Sequence, residues 1–323
     1  MQSIPKYIVI LFLLVSLTNC GQKTKVIKLA HGLDISHPVH KAMVFMGEKL
    51  KEKSKGKLQI QVYPGNQLGS ERECIELLQI GSLGMTKVSS AVMSNFAPDF
   101  QVLSFPYIFR DKDHYFKTLD SELGKSLLHK VEKYRIRGLC YYDAGSRSFY
   151  TSEKAVRKPE DLDGLKIRVM QSPIAIKMVK AMGGSPTPMA SGEIYTAIQQ
   201  GVVDGAENNP PSYYFSRHYE VAKYYTIDEH ASIPDVLLIS TGVWKRLDKE
   251  EQNWLQEAVD ESVIYQRELW AESEQQCLKD AKENGVEIIY PDKEPFVKAV
   301  QPLYEELTKD EQIKKLVETI RDL

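Results

Sequence analysis

Two arginines carry the first chemical suggestion in this chain. Arg168 stands in Leu165-Lys-Ile-Arg-Val169, where Leu165, Ile167 and Val169 share one face of an alternating segment and Arg168 takes the other. Arg147 stands in Gly145-Ser-Arg-Ser-Phe-Tyr150, 21 positions earlier. A guanidinium is a planar fork of donors that matches a carboxylate, and charge-assisted hydrogen bonds of this kind contribute roughly 1.5–3 kcal/mol. Two such forks on adjoining strands would clamp an organic acid. A single strand arginine is more often a surface or ion-paired residue, so the clamp needs support from its surroundings. Other patterns offer less. His37-Pro-Val-His40 sets two imidazoles at a helix start, but no Glu or Cys stands at ligand spacing and no metal is expected. There is no phosphate loop with its lysine, no His-Glu-x-x-His and no Gly-x-Ser-x-Gly, so no nucleophile is named and no cofactor implied. A hydrolase of acidic sugars would need paired carboxylates about 5–9.5 Å apart, and no loop offers an isolated pair. The chain does not read as an enzyme.

The elements that would position these arginines follow an α/β grammar. After a polar tether, Val26–Ala30 alternates as a strand, and Val39, Ala42, Met43, Met46 and Leu50 recur at helical spacing. Gly56 closes that helix, and Leu58, Ile60 and Val62 alternate as the next strand, giving a βαβ unit with parallel strands. A helix begins at Glu71. The pattern restarts near Gly138, with strands at Leu139–Tyr142, Ser148–Thr151 and Leu165–Val169. A helical turn lies at Pro159–Leu162, and a helix carries Ile174, Met178 and Met182. Ser191 reads as the N-cap of a further helix through Ile194, Ala197 and Ile198. The chain therefore divides into two α/β lobes with a seam around residues 140–150. From the capping pattern Asp248-Lys-Glu-Glu251 onward, no Pro or Gly interrupts roughly 36 residues, about 54 Å of helix. That exceeds one lobe, so the helix is expected to run behind both.

Composition bounds the partners. The 323 residues are 42% hydrophobic and 27% charged, and 42 Lys and Arg against 44 Asp and Glu leave a net charge of -2. The length suits two domains of about 150 residues. No basic surface is available for nucleic acid, and a mean hydropathy of -0.34 excludes a multi-span membrane protein. One apolar run, Tyr7–Leu17, follows Lys6. It is too short to span a bilayer and suits an export signal. Leu17-Thr18-Asn19-Cys20 resembles a lipobox, with Asn19 where Gly, Ala or Ser is usual, so residues 1–19 are expected to be removed and Cys20 lipidated. The other cysteines, Cys74, Cys140 and Cys277, are widely spaced and read as buried free thiols.

Four segments then occur in order: Gly145–Thr151, Lys158–Val169, Gly183-Gly-Ser-Pro-Thr-Pro-Met189, and Val202-Val-Asp-Gly-Ala-Glu-Asn-Asn-Pro210. Together they resemble the substrate-binding subunits of TRAP transporters, the DctP family, over about Val26 to the C-terminus. The resemblance implies a two-lobed periplasmic binding protein of type II-like α/β fold, with a long helix spanning both lobes. Lobe I would hold 26–144 plus 234–273, and lobe II 145–233 plus 274–323. It implies that Arg168 makes the principal salt bridge to a substrate carboxylate, that Arg147 assists, and that Asn208 hydrogen-bonds the same end. Glu71 matches a position that accepts sugar hydroxyls. Ser89 falls where sialic-acid binders tend to carry Glu, and Ser191 where many members carry a large aromatic. Gln171, Met170, Asn209, His37 and Tyr195 are further lining candidates.

The stretches Glu207–Tyr213, His218–Tyr225 and Asp228-Glu-His230 resemble the hexuronate-binding subgroup. The expected ligand is D-glucuronate or D-galacturonate, with a C4-dicarboxylate, sialic acid or another organic acid as alternatives. A linear dicarboxylate would want a second basic group at the far end, where Glu71 would repel it. The implied partners are the small and large membrane subunits of a TRAP permease, with a lipid anchor holding the receptor in the periplasm of a Gram-negative bacterium. A sensing module that docks on a signalling receptor is the remaining reading.

Overall fold

The computed structural model describes residues 24–323; the export signal and Cys20 lie outside them. Among the described residues, eleven strands form two mixed sheets. The first holds β1 (Lys25–Ala30), β2 (Leu58–Tyr63), β3 (Met85–Ser89), β4 (Ile136–Tyr142) and β10 (Asp235–Ser240), in the order β2-β1-β3-β10-β4. The second holds β5 (Ser146–Thr151), β6 (Lys166–Val169), β7 (Ser185–Pro188), β8 (Gly205–Asn208), β9 (Tyr224–Ser232) and β11 (Glu287–Ile289), in the order β11-β9-β5-β8-β6-β7. β1 pairs parallel with β2, as the βαβ pattern predicts, while β10 runs antiparallel between β3 and β4.

Local sequence accounts for the elements around the cleft. The helix Pro38–Lys53 buries Val39, Ala42, Met43, Met46 and Leu50, the predicted stripe, and packs it on the first sheet. The helix Glu71–Gln79 starts at a reciprocal cap in which the Ser70 hydroxyl accepts from the Glu73 N–H and the Glu73 carboxylate accepts from the Ser70 N–H. Ser191 does not cap its helix. It opens a 3-10 turn, Ser191–Glu193, that makes no side-chain cap bond and precedes the helix Ile194–Gln199.

The chain passes between the sheets at residues 143–145 and 233–234, close to the predicted seam. Gly145 has a φ of +55°, and a Cβ there would lie 2.6 Å from Glu274 Oε1 and 2.8 Å from Trp270 Nε1. Glycine thus lets this crossing lie directly against the helix behind it. That helix, Lys249–Glu283, is continuous over 35 residues, about 52 Å at 1.5 Å per residue. Leu255, Ala258, Val259 and Trp270 join the core of the first sheet, and Leu278 and Ala281 that of the second. The C-terminal helix Glu311–Asp322 departs from the expected division, in which 274–323 belong with the second lobe. Its Ile313, Leu316, Val317 and Ile320 pack with Phe100, Val102, Tyr115 and Leu119 of the first, and His114 Nε2 donates to the Ile320 carbonyl at 2.7 Å. The segment after β11 crosses back, a return that periodicity along one helix does not reveal. No helix among the described residues is long and apolar enough to cross a membrane.

Candidate ligand-binding cleft

A cleft between the sheets has an empty volume of about 730 Å³, counting its open mouth. Both lobes line it. Arg168, Arg147, Asn208, Glu71, Gln171, Asn209, Ser89, Met170 and Ser191 all reach it. Two candidates do not. Tyr195 donates its hydroxyl to Glu220 at 2.9 Å on the outer side of its helix. His37 is buried as a cap, its Nδ1 accepting from the Val39 N–H and its Nε2 meeting Ser212 Oγ at 3.3 Å. It therefore acts behind the wall, holding a residue that lines the cleft.

The two arginines are not on adjoining strands. β8 lies between β5 and β6, and it supplies the groups that separate their roles. Arg147 is held by β8 through all three of its nitrogens: Nε donates to Glu207 Oε2 at 2.5 Å, Nη2 to the Glu207 carbonyl at 2.7 Å, and Nη1 to Asn208 Oδ1 at 2.8 Å. Burial opposes the Arg147 charge, yet Glu207 outweighs it and the pKa is raised. Burial likewise opposes ionisation of Glu207, but Arg147 and His230 bring it down to about 2. His230 sits between Asp228 Oδ2 at 2.8 Å and Glu207 Oε2 at 3.4 Å. Burial disfavours its charge, and the two carboxylates raise it to about 9. These four side chains alternate in sign and compensate one another.

Arg168 is different. It is 3% exposed, and its Nε and Nη2 both donate to the Met189 carbonyl, at 3.1 and 2.7 Å. That carbonyl fixes the fork but supplies no charge, and no carboxylate lies within ion-pair distance among the described residues. Burial accordingly lowers the Arg168 pKa, as expected for a cation without a counter-ion. Beside it, Asn208 Oδ1 accepts from Arg147 and from the Asn209 N–H at 2.9 Å. With its oxygen so occupied, its Nδ2 group is the part left to donate to a ligand. Asn209 uses Oδ1 in the same way, capping the helix Pro210–Phe215 through the Ser212 N–H.

The opposite wall holds a group that sequence reasoning missed. Lys87 Nζ donates to Glu71 Oε1 and to Asp235 Oδ1, each at 3.1 Å, with side-chain exposures of 4%, 19% and 10% for the three. Burial works against the Lys87 charge, and Asp235 and Glu71 outweigh it. Burial, and secondarily Glu71, raise the Asp235 pKa against the pull of Lys87. Glu71 thus does face the cleft, but it is not the free repelling charge inferred from sequence. A local signal existed: Met85–Ser89 is buried at every position, and a lysine inside such a strand requires a partner. Residues from both lobes meet across the mouth, where Asn95 Nδ2 donates to the Gln171 carbonyl at 2.7 Å.

A small anion enclosed by two lobes is the task this geometry fits. Residues 29–311 match the model of the bacterial extracellular solute-binding proteins, family 7, known as DctP. The chain belongs to the DctP family. A Salmonella typhimurium relative, uncharacterized protein YiiZ, is 39% identical over 313 residues, covering 96% of this chain and 95% of the relative. The crystal structure of a TRAP periplasmic solute-binding protein from Bradyrhizobium sp. BTAi1, in complex with α/β-D-galacturonate, is 42% identical with a TM-score of 0.90. It covers 93% of this chain and 100% of that one. A Citrobacter koseri TRAP solute-binding protein with bound D-glucuronate is 39% identical with a TM-score of 0.89, covering 93% and 100%. As a DctP-family member this chain is an extracytoplasmic solute-binding receptor of the TRAP type with the two-lobed α/β fold.

Proposed function

We propose that this receptor captures a hexuronate, D-galacturonate or D-glucuronate, and delivers it unchanged to the two membrane subunits of a TRAP permease. The observation that carries the reading is Arg168, a buried guanidinium aimed into the cleft with its fork held by a carbonyl and its charge unanswered. A ligand carboxylate supplies the missing charge. Arg147 acts through Asn208, orienting the amide that donates to the same end of the ligand. Glu71, Gln171, Asn209 and Ser89 then meet hydroxyls, and Met170 packs against the ring. The hexuronates bound to the Bradyrhizobium and Citrobacter proteins have this chemistry of one carboxylate and several hydroxyls.

The receptor role assigns residues 26–144 and 234–273 to one closing body and 145–233 to the other, tied by the helix Lys249–Glu283. Cys20 would tether the mature protein to a membrane, and Cys20→Ser should release it into the soluble fraction. The ligand is tested by thermal shift against uronates, aldonates, sialic acid and C4-dicarboxylates. A ligand at one hundred times its Kd stabilises by about 2.7 kcal/mol, so a hexuronate should raise the melting temperature most. No shift with either hexuronate at millimolar concentration would overturn the assignment.

A further inference from the structure

The wall opposite Arg168 carries more charge than meeting sugar hydroxyls requires. Three ionisable side chains converge there, Lys87 from β3, Asp235 from β10 and Glu71 from the helix Glu71–Gln79. All three line the cleft. Leu237 lies directly across from Lys87 in the β3–β10 ladder, which puts Asp235 two places along on the same face. The ammonium is thereby pinned between the carboxylates and nearly removed from water.

Resting on that hexuronate reading, we infer that Lys87, Glu71 and Asp235 form a specificity device selecting sugar acids with one carboxylate and rejecting those with two. Lys87, Glu71 and Asp235 together carry a single net negative charge, while Arg72, which also lines the cleft, is exposed and ion-paired with Glu76 at 3.2 Å. Arg168 gives the other wall a single net positive charge, because Arg147, Glu207, His230 and Asp228 cancel among themselves. The buried part of the cleft is therefore polarised from one wall to the other. A monocarboxylate has one favourable orientation in it, acid group on Arg168 and hydroxyls on the far wall. There the hydroxyls donate to Glu71 and Asp235 and accept from Lys87, replacing the hydrogen bonds they lose to water. A dicarboxylate of the same length would put its second anion against two carboxylates that already share one cation. A lysine alone would welcome that second anion; Asp235 and Glu71 together reverse the preference. Sequence suggests only the Glu71 half of this arrangement.

D-Galacturonate and galactarate form a close test pair, since galactarate carries a carboxylate where galacturonate has its anomeric carbon. Isothermal titration of the full mature receptor should show galacturonate preferred on the order of a hundredfold, the scale of a like-charge contact costing several kcal/mol. Asp235→Asn and Glu71→Gln each neutralise the wall and should narrow that ratio by tenfold or more. Lys87→Met makes the wall more negative and should widen it while weakening galacturonate. A purely structural role for the three would weaken both ligands in proportion and leave the ratio unchanged, which would overturn the inference. If Lys87→Met fails to fold, the two isosteric amides decide alone. Wild-type protein that binds no hexuronate overturns the ligand reading and this inference together, and that appears in the first titration. Wild-type protein that binds galacturonate and galactarate equally overturns this inference only.

Discussion

Arg147 Nε lies 2.5 Å from Glu207 Oε2, whereas the guanidinium of Arg168, two strands away across β8, faces only a carbonyl. The same residue type thus plays two parts in one wall. Arg147 is engaged by the fold through all three nitrogens, and Arg168 has no counter-ion among the described residues. Removing one partner of a buried ion pair strands the other and costs about 3–5 kcal/mol. Removing an unpaired buried charge relieves a desolvation penalty instead.

Arg168→Lys should therefore weaken sugar-acid binding by roughly tenfold to a hundredfold, as the planar fork is lost and the charge retained. In the unliganded protein Arg168→Met, which removes the charge altogether, should lower the melting temperature little or raise it. Arg147→Met should lower stability by about 3–5 kcal/mol in urea unfolding, with the affinity loss following from displaced Asn208. Equal destabilisation of the unliganded protein by Arg168→Met and Arg147→Met would mean that Arg168 has a counter-ion in solution.

Closure can be probed apart from recognition. Asn95 comes from the first lobe and donates to the Gln171 carbonyl of the second at 2.7 Å. Exposed hydrogen bonds of this kind contribute about 0.5–1.5 kcal/mol. Asn95→Ala should speed ligand dissociation about two- to tenfold in stopped-flow measurements and leave association nearly unchanged, since the bond forms only after the lobes meet. A change confined to the association rate would place Asn95 on the entry path instead.

What sequence exposed and what it hid follow one physical line. The helix Pro38–Lys53, the long helix Lys249–Glu283 and the face carrying Arg168 were legible because periodicity, caps and the absence of Gly or Pro are local properties. Family resemblance added Asn208, Glu71 and Gln171, which do reach the cleft. Lys87 and Asp235 stayed hidden because their meeting depends on strand order and register across 148 positions. His37 and Tyr195 were misplaced for the same reason. A polar residue near a cleft element turns inward or outward according to partners such as Ser212 and Glu220, which only the folded chain supplies.

The histidines set the pH range over which the fold is strongest. Burial, the largest cause, lowers His31 and His218 from 6.5 to about 3, and lowers His37 well below its ordinary value. A group lowered by folding contributes stability above its ordinary pKa, and the contribution is lost as pH falls from 6.5 through about 3. His230 has the opposite sign: burial opposes its charge, but Asp228 and Glu207 raise it from 6.5 to about 9. Its contribution is complete below 6.5 and lost as pH rises through about 9. Each group bends the stability curve by at most about 1.4 kcal/mol per pH unit. His218→Gln should flatten the acid limb of unfolding free energy against pH, and His230→Gln the limb between pH 6.5 and 9. Both variants lose a hydrogen bond, so their absolute stabilities fall. The slope is the discriminating readout, and an unchanged alkaline slope in His230→Gln would show that the imidazole between Asp228 and Glu207 is already neutral.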